Sequence, residues 1–278
     1  MTRTIILFCF FAVNFVFSEE AITTFDESFA LNLSGSYNMS IFDQEQVQYP
    51  YVTQGSGIIG LGFRYKMFSA SLSIPVNLDF SSIDLELNIY FEKLFFESHL
   101  KRYKNYYADN GIYENTAGLD IINAGIRAGW VHNNQNHSLS SVYDLDRKQN
   151  VSSGSFLYGF GAFYTSIYSE NNEIRHYNER NHILYFGPMG GYSYTWILPY
   201  DIFVNIGIVG ETNLGMNTIK NRILFIPQIK PKINFGHHNG TWSINTVIGC
   251  NAVFIVWDEQ DYDMLDLITM KVMFSKRF

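Results

Sequence analysis

The sequence predicts an all-β protein, a transmembrane antiparallel up-and-down β-barrel of about 12 strands. Three observations carry this. Apolar and polar residues alternate through most of the chain, and a two-residue period places successive side chains on opposite faces of a strand. The composition is 47% hydrophobic and 17% aromatic with only 16% charged, yet nowhere is there a run of the ~18–20 apolar residues that a membrane helix needs. The chain ends MLDLITMKVMFSKRF, with Met270, Val272, Phe274 and Phe278 on one face and Lys271, Ser275 and Arg277 on the other. That is the pattern of a closing barrel strand with an aromatic at the free C-terminus.

The elements follow in order. Arg3 precedes an apolar run from Ile5 to Phe17 broken only by Asn14, and Val16 and Ser18 are small enough for the −3 and −1 positions of a cleavage site. Residues 1–18 therefore read as a signal peptide cut after Ser18, and Phe8 before Cys9 argues against a lipoprotein anchor. Residues 19–278 read as one barrel domain.

Phe29, Leu31, Leu33, Tyr37 and Ile41 interleave with Asn32, Ser34, Ser36 and Ser40. Ile59, Leu61, Phe63 and Tyr65 interleave with Gly60, Gly62 and Arg64, and Leu72 and Ile74 alternate with serines. Ile83, Leu85, Leu87 and Ile89 alternate with Asp84, Glu86 and Asn88. The pattern continues over 94–101, 120–130, 156–168, 183–196, 202–209, 223–235 and 242–252, lengths that suit the ~9–11 residues of a tilted membrane strand.

Short connections are expected near 67–68, 92–93, 198–199 and 237–240, and long polar ones at 43–56, 104–119, 169–181 and 210–219. Thirteen strand candidates result, where an even number is expected. The weakest is 137–146, where Leu139, Tyr143 and Leu145 alternate briefly; if it lies across the rim or inside the lumen, twelve remain.

Without Arg3 the mature chain has 18 basic against 26 acidic residues, a balance that argues against a nucleic-acid partner. If the apolar set of each strand faces lipid, the lumen receives Arg64, Lys66, Lys101, Arg127, Lys230, Lys232, Lys271 and Arg277, against Asp84, Glu86, Glu97 and Glu211. An acidic protein would then have an electropositive lumen suited to a small anionic solute. Acidic residues are expected in outer loops, notably over 258–263. Cys250 is the only cysteine of the mature chain, so no intramolecular disulfide is possible, and it shares the lipid face with Trp242, Ile244, Ile248 and Ala252. Phe278, Phe274 and Val272 read as an assembly signal for the barrel assembly machinery.

Chemical motifs are scarce. There is no phosphate loop, HExxH pair or CxxC, and no cofactor or metal is expected. His137-Ser138 beside Asn133, Asn134 and Asn136 invites a hydrolase reading, but neighbours in an extended chain diverge, so a polar loop is expected. Tyr106, Tyr107, Tyr192, Tyr194, Trp196 and Tyr200 read as an interfacial girdle.

Several stretches resemble an uncharacterised family of bacterial outer-membrane barrels, a domain of unknown function: Gly60–Lys66 (GLGFRYK) with the tight turn after it, residues 84–90, 101–107 (KRYKNYY), 147–159 (RKQNVSSGSFLYG) and 187–194 (GPMGGYSY). Asn105 departs from the family's glycine. The resemblance implies a barrel in the outer membrane of a diderm bacterium, in contact with its lipid, and carries no activity. Two roles follow from the sequence: passive solute passage or envelope structure, and alternatively an enzyme acting on lipid or lipopolysaccharide at the rim. Long loops also admit an adhesin.

Overall fold

The computed structural model describes residues 20–278 except 46–48, 54–55, 67, 77–81, 109–117, 172–173, 175 and 259–260. The signal peptide read over 1–18 lies outside the described residues. Strands form at β1 (Ile22–Thr24), β2 (Phe29–Gln44), β3 (Tyr51–Thr53), β4 (Ser56–Tyr65), β5 (Phe68–Pro75), β6 (Ser82–Tyr90), β7 (Leu94–Tyr103), β8 (Tyr106–Ala108) and β9 (Leu119–Val131). A short helix α1 (Leu139–Tyr143) follows, then β10 (Arg147–Gln149), β11 (Ser153–Ser169), β12 (Asn181–Leu198), β13 (Ile202–Asn217), β14 (Arg222–His238), β15 (Trp242–Asp258) and β16 (Asp261–Arg277).

Twelve of these make one closed antiparallel sheet, in the order β2, β4, β5, β6, β7, β9 and β11 to β16. β16 returns to pair with β2 from Asp263↔Gln44 to Arg277↔Ala30. Closure pairs every wall strand on both sides, which a lipid-facing sheet requires because no water is there to satisfy an open edge. β3 and β8 extend the sheet above β2, and β1 pairs with β10.

The pleat sorts the two faces as the alternation predicts. Leu33, Leu61, Leu72, Phe160, Phe186, Leu214 and Val272 point outward and are 42% to 68% exposed, an apolar belt around the wall. Tyr192, Trp196 and Tyr200 lie on the same outer surface near the end where the turns are short. Cys250 falls in the outward set of β15 between Ile248 and Ala252. Phe278 caps the seam, its amide donating to Phe29 O at 3.0 Å and its ring 6.2 Å from that of Phe29.

Four expectations are corrected. Lys66 is not in the lumen: β4 ends at Tyr65, Lys66 takes φ 53° in the turn, and its ammonium lies 5.5 Å from the Tyr65 ring, exposed. The stretch 210–219 is mostly strand, since β13 runs to Asn217 with Glu211, Asn213 and Asn217 buried inside and Leu214 and Met216 outside; its small polar side chains mimic a loop in composition. Asp263 is no loop residue but a buried, inward member of β16. Tyr106 is not in a girdle: it is fully buried and donates to Ser40 Oγ at 2.6 Å.

The thirteenth candidate is not a strand. Residues 132–152 leave the short-turn end and fold back into the barrel mouth, with His137, Leu139, Val142 and Leu145 no more than 4% exposed. Ser138 caps α1, its Oγ accepting from Ser141 N at 3.3 Å. Leu145 ends the turn at φ 58°, its amide donating to Ser140 O at 2.8 Å. That left-handed position usually takes glycine.

Candidate functional site

Three layers fill the lumen. At the long-loop end the inward side chains turn apolar from strand after strand: Phe42, Tyr106, Ile121, Ile167, Ile183, Leu224, Ile255, Trp257 and Leu265 pack with Ile174 and Tyr177 from the 170–180 connection. Asp263 sits inside this cap. It accepts from Tyr177 Oη at 2.6 Å, Trp257 Nε1 at 2.5 Å and Gln44 Nε2 at 2.8 Å, so its charge is solvated by three donors where water is excluded.

The middle layer is ionic. Lys101 Nζ lies 2.9 Å from Asp84 Oδ2 and 3.3 Å from Glu86 Oε1, and Lys271 Nζ is 3.8 Å from Glu86. Arg127 bridges Glu211 at 2.7 Å and Glu97 at 3.3 Å, and Lys230 reaches Glu211 at 3.2 Å. Tyr90 donates to Glu97 at 2.8 Å. Phe163 lies beneath Arg127 and Lys230, at 5.2 and 4.9 Å from its ring. Gly125 makes room for that ring, because a Cβ there would collide with Phe163 and His99. Glu86, Tyr90, Glu97, Lys101, Arg127, Lys230 and Lys271 line a cavity of about 180 Å³.

The third layer is the plug, residues 132–152. Tyr143 of α1 forms the cavity floor, stacked on Tyr90 at 6.3 Å with Lys232 Nζ 4.9 Å from its ring. Val142 and Leu145 pack on Phe203 and Met273, and Leu139 on Phe95, Leu157 and Met189. Polar ties join the plug to the wall, among them a side-chain hydrogen bond between Tyr143 and Asn234. Ser69 Oγ donates to Asp144 Oδ1 at 2.8 Å, Asn245 Nδ2 to Val142 O at 2.7 Å, and Arg277 Nη2 to Leu145 O at 3.0 Å.

The base of the plug is clamped separately, by the β1–β10 ladder, by Asn150 Nδ2 donating to Thr23 Oγ1 at 2.7 Å, and by Lys148 and Asp201 at 2.6 Å. Burial without a charged partner holds His137 down at about 4. Burial and the adjacent Asp146 push the Asp144 carboxyl well above the usual range, and burial raises Asp146 too.

Every sequence-assigned lumen charge except Lys66 is found on the inner face: Arg64, Lys101, Arg127, Lys230, Lys232, Lys271 and Arg277, with Asp84, Glu86, Glu97 and Glu211. The structure brings most of them together at mid-depth, while Arg64 and Arg277 lie lower, beside the plug. His137 and Ser138 form no catalytic pair. No side chain hydrogen-bonds His137, and Ser138 Oγ is spent on Ser140 and Ser141. Among the described residues no three His, Cys, Asp or Glu side chains are placed to hold a metal.

Sequence reading missed the plug as a plug and the apolar cap. The first had a signal in the three-residue spacing of Leu139, Val142 and Leu145 after a capping serine. The second shows where alternation fails near the long loops, as in Val253–Trp257 and Leu265–Leu267.

A model of the family described as Domain of unknown function (DUF4421) matches residues 13–270. No curated protein matches the chain. Similar solved structures include the outer membrane protease OmpT from Escherichia coli, with 8% identity over 96% of this chain and 99% of that one and a TM-score of 0.36. The COG4313 outer membrane channel from Pseudomonas putida F1 is 8% identical over 95% and 100%, TM-score 0.40. The Pseudomonas putida toluene transporter TodX is 9% identical over 91% and 90%, TM-score 0.33.

Proposed function

The chain belongs to the DUF4421 family, a family of unknown function, and from that premise we propose that it is an outer-membrane barrel passing small solutes, anions foremost, through a lumen closed at rest. The closed wall and outward apolar belt suit an outer membrane, with the short-turn end facing the periplasm. The observation that carries the reading is the layering of the lumen: a charged cavity lies between an apolar cap and a plug whose tip is tied to the wall by a small set of side-chain hydrogen bonds. A barrel serving as scaffold alone has no use for a central ring of partly paired cations, which is costly to bury. A passage does, because fixed charge in a low-dielectric channel selects what enters.

Three variants measured in planar bilayers test this. One replaces 134–152 with a short Gly/Ser turn, one truncates the cap by Tyr177→Ala with Trp257→Ala, and one combines both. The combined variant should conduct steadily, and each single variant should show only intermittent openings. A folded combined variant that stays silent refutes passage and leaves an envelope-structure role.

A further inference from the structure

The cavity wall is imbalanced. Five cations line it, Lys101, Arg127, Lys230, Lys232 and Lys271, against Glu86 and Glu97. Asp84 and Glu211, directly behind them, raise the acids to four, which leaves one positive charge unmatched. The surplus falls at Lys232 and Lys271. Lys232 makes no ion pair within 4 Å among the described residues and rests on the face of Tyr143, sharing the fields of Glu97 and Glu86 with the other cations, while Lys271 has only the 3.8 Å contact to Glu86. Both ammoniums are only partly buried and lack a close carboxylate partner, and with the net positive charge of the lining this makes the site favour an anion.

Beside the charges the lining is mixed: Tyr143, Val247, Leu267 and Met273 supply apolar surface, the last three interleaved with Asn251 and Thr269 on β15 and β16, and all faced by Asn88, Ser98 and His99. At about 180 Å³ it exceeds the ~150 Å³ cavity that admits a benzene-sized guest. A bare inorganic anion would leave that apolar surface uncovered.

We infer that the cavity is a binding site for a small organic monoanion. The carboxylate lies between Lys232 and Lys271, and a short apolar remainder packs on Tyr143, Val247, Leu267 and Met273. This deepens the passage reading and rests on it only for the route by which the anion arrives. Because Tyr143 belongs to the plug, an occupant touching it also couples binding to closure.

Titration calorimetry on the full mature barrel in detergent, incubated to equilibrium, tests the site with benzoate, its neutral counterpart benzamide, and inorganic phosphate. Benzoate should bind, with benzamide and phosphate each at least ~10-fold weaker. Lys232→Gln should weaken benzoate ~10-fold or more while Lys232→Arg restores it, with heat-modifiable gel mobility showing that both variants fold. Three results overturn the inference: no binding of benzoate, equal binding of benzamide, or wild-type affinity in Lys232→Gln. Phosphate binding as tightly as benzoate also overturns it, by making the site one for any small anion. Binding is read here without conductance. Benzoate binding in a barrel that never conducts sinks passage and keeps the site, and conductance without benzoate binding does the reverse.

Discussion

Leu145→Ala should release the plug. Leu145 is fully buried against Val142, Phe203 and Met273, and truncating such a leucine costs ~2–5 kcal/mol. The wall does not unfold with the plug, so that loss falls on the docked state alone. At 1.4 kcal/mol per decade, the undocked fraction should rise by roughly 30-fold at the low end and a few thousand-fold at the high end. The φ of 58° at this position persists with alanine, so no relief of backbone strain offsets the loss.

Ser141 is 2% exposed inside the plug and serves as reporter. With Cys250→Ala as background, the rate at which a charged maleimide labels Ser141→Cys follows the undocked population when opening and closing are fast. A labelling rate unchanged within twofold, in protein that retains heat-modifiable mobility, would refute the assignment of Leu145 as the plug's apolar anchor.

Acid should loosen the same element through His137. Its pKa of about 4 in the docked plug lies below the ordinary ~6.5 regained on undocking. As pH falls below ~6.5 only the undocked state takes the proton, so docking weakens until about pH 4, by about 2 kcal/mol at pH 5. Asp144 and Asp146, both raised by burial, act oppositely, because their protonation in acid favours the docked plug. The histidine contribution is therefore the difference between wild type and His137→Gln; equal pH profiles of Ser141→Cys labelling, normalised to unfolded protein, would exclude it.

Once conducting, the barrel should prefer anions, since seven inward wall cations face five inward acids (Asp84, Glu86, Glu97, Glu211 and Asp263). The preference should fade near 1 M salt, where screening shortens to ~3 Å, and a reversal potential of cation-selective sign in dilute salt would contradict it. Deleting Phe278 should lower outer-membrane levels several-fold against deletion of Asn172, a residue outside those described, because Phe278 closes the seam on Phe29. Equal levels at matched expression would count against that.

Much of the wall was legible because period-two alternation is local. Leu31–Tyr37, Leu61–Tyr65 and Met270–Phe274 each announce their outer face without reference to a partner, and the inward lysines and arginines follow by parity. What failed was non-local. Residues 137–146 alternate weakly because α1 is buried on all sides, and only the enclosing wall makes a five-residue helix worth forming. The cap was hidden for a related reason: once the lumen is filled with side chains, inner and outer faces are both apolar and alternation disappears, as at Val253–Trp257. Asp263 looked like a loop acid because the donors that solvate it come from distant segments.

A plug that gates the lumen can be locked and released by a reversible cross-link. Ser69 Oγ and Asp144 Oδ1 are 2.8 Å apart, so Ser69→Cys with Asp144→Cys can tether plug to wall, in a Cys250→Ala barrel whose cap is opened by Tyr177→Ala and Trp257→Ala. Currents through a planar bilayer should be absent under oxidant and appear on adding reductant. The same current before and after reduction, with the cross-link verified by mass, would contradict gating by the plug.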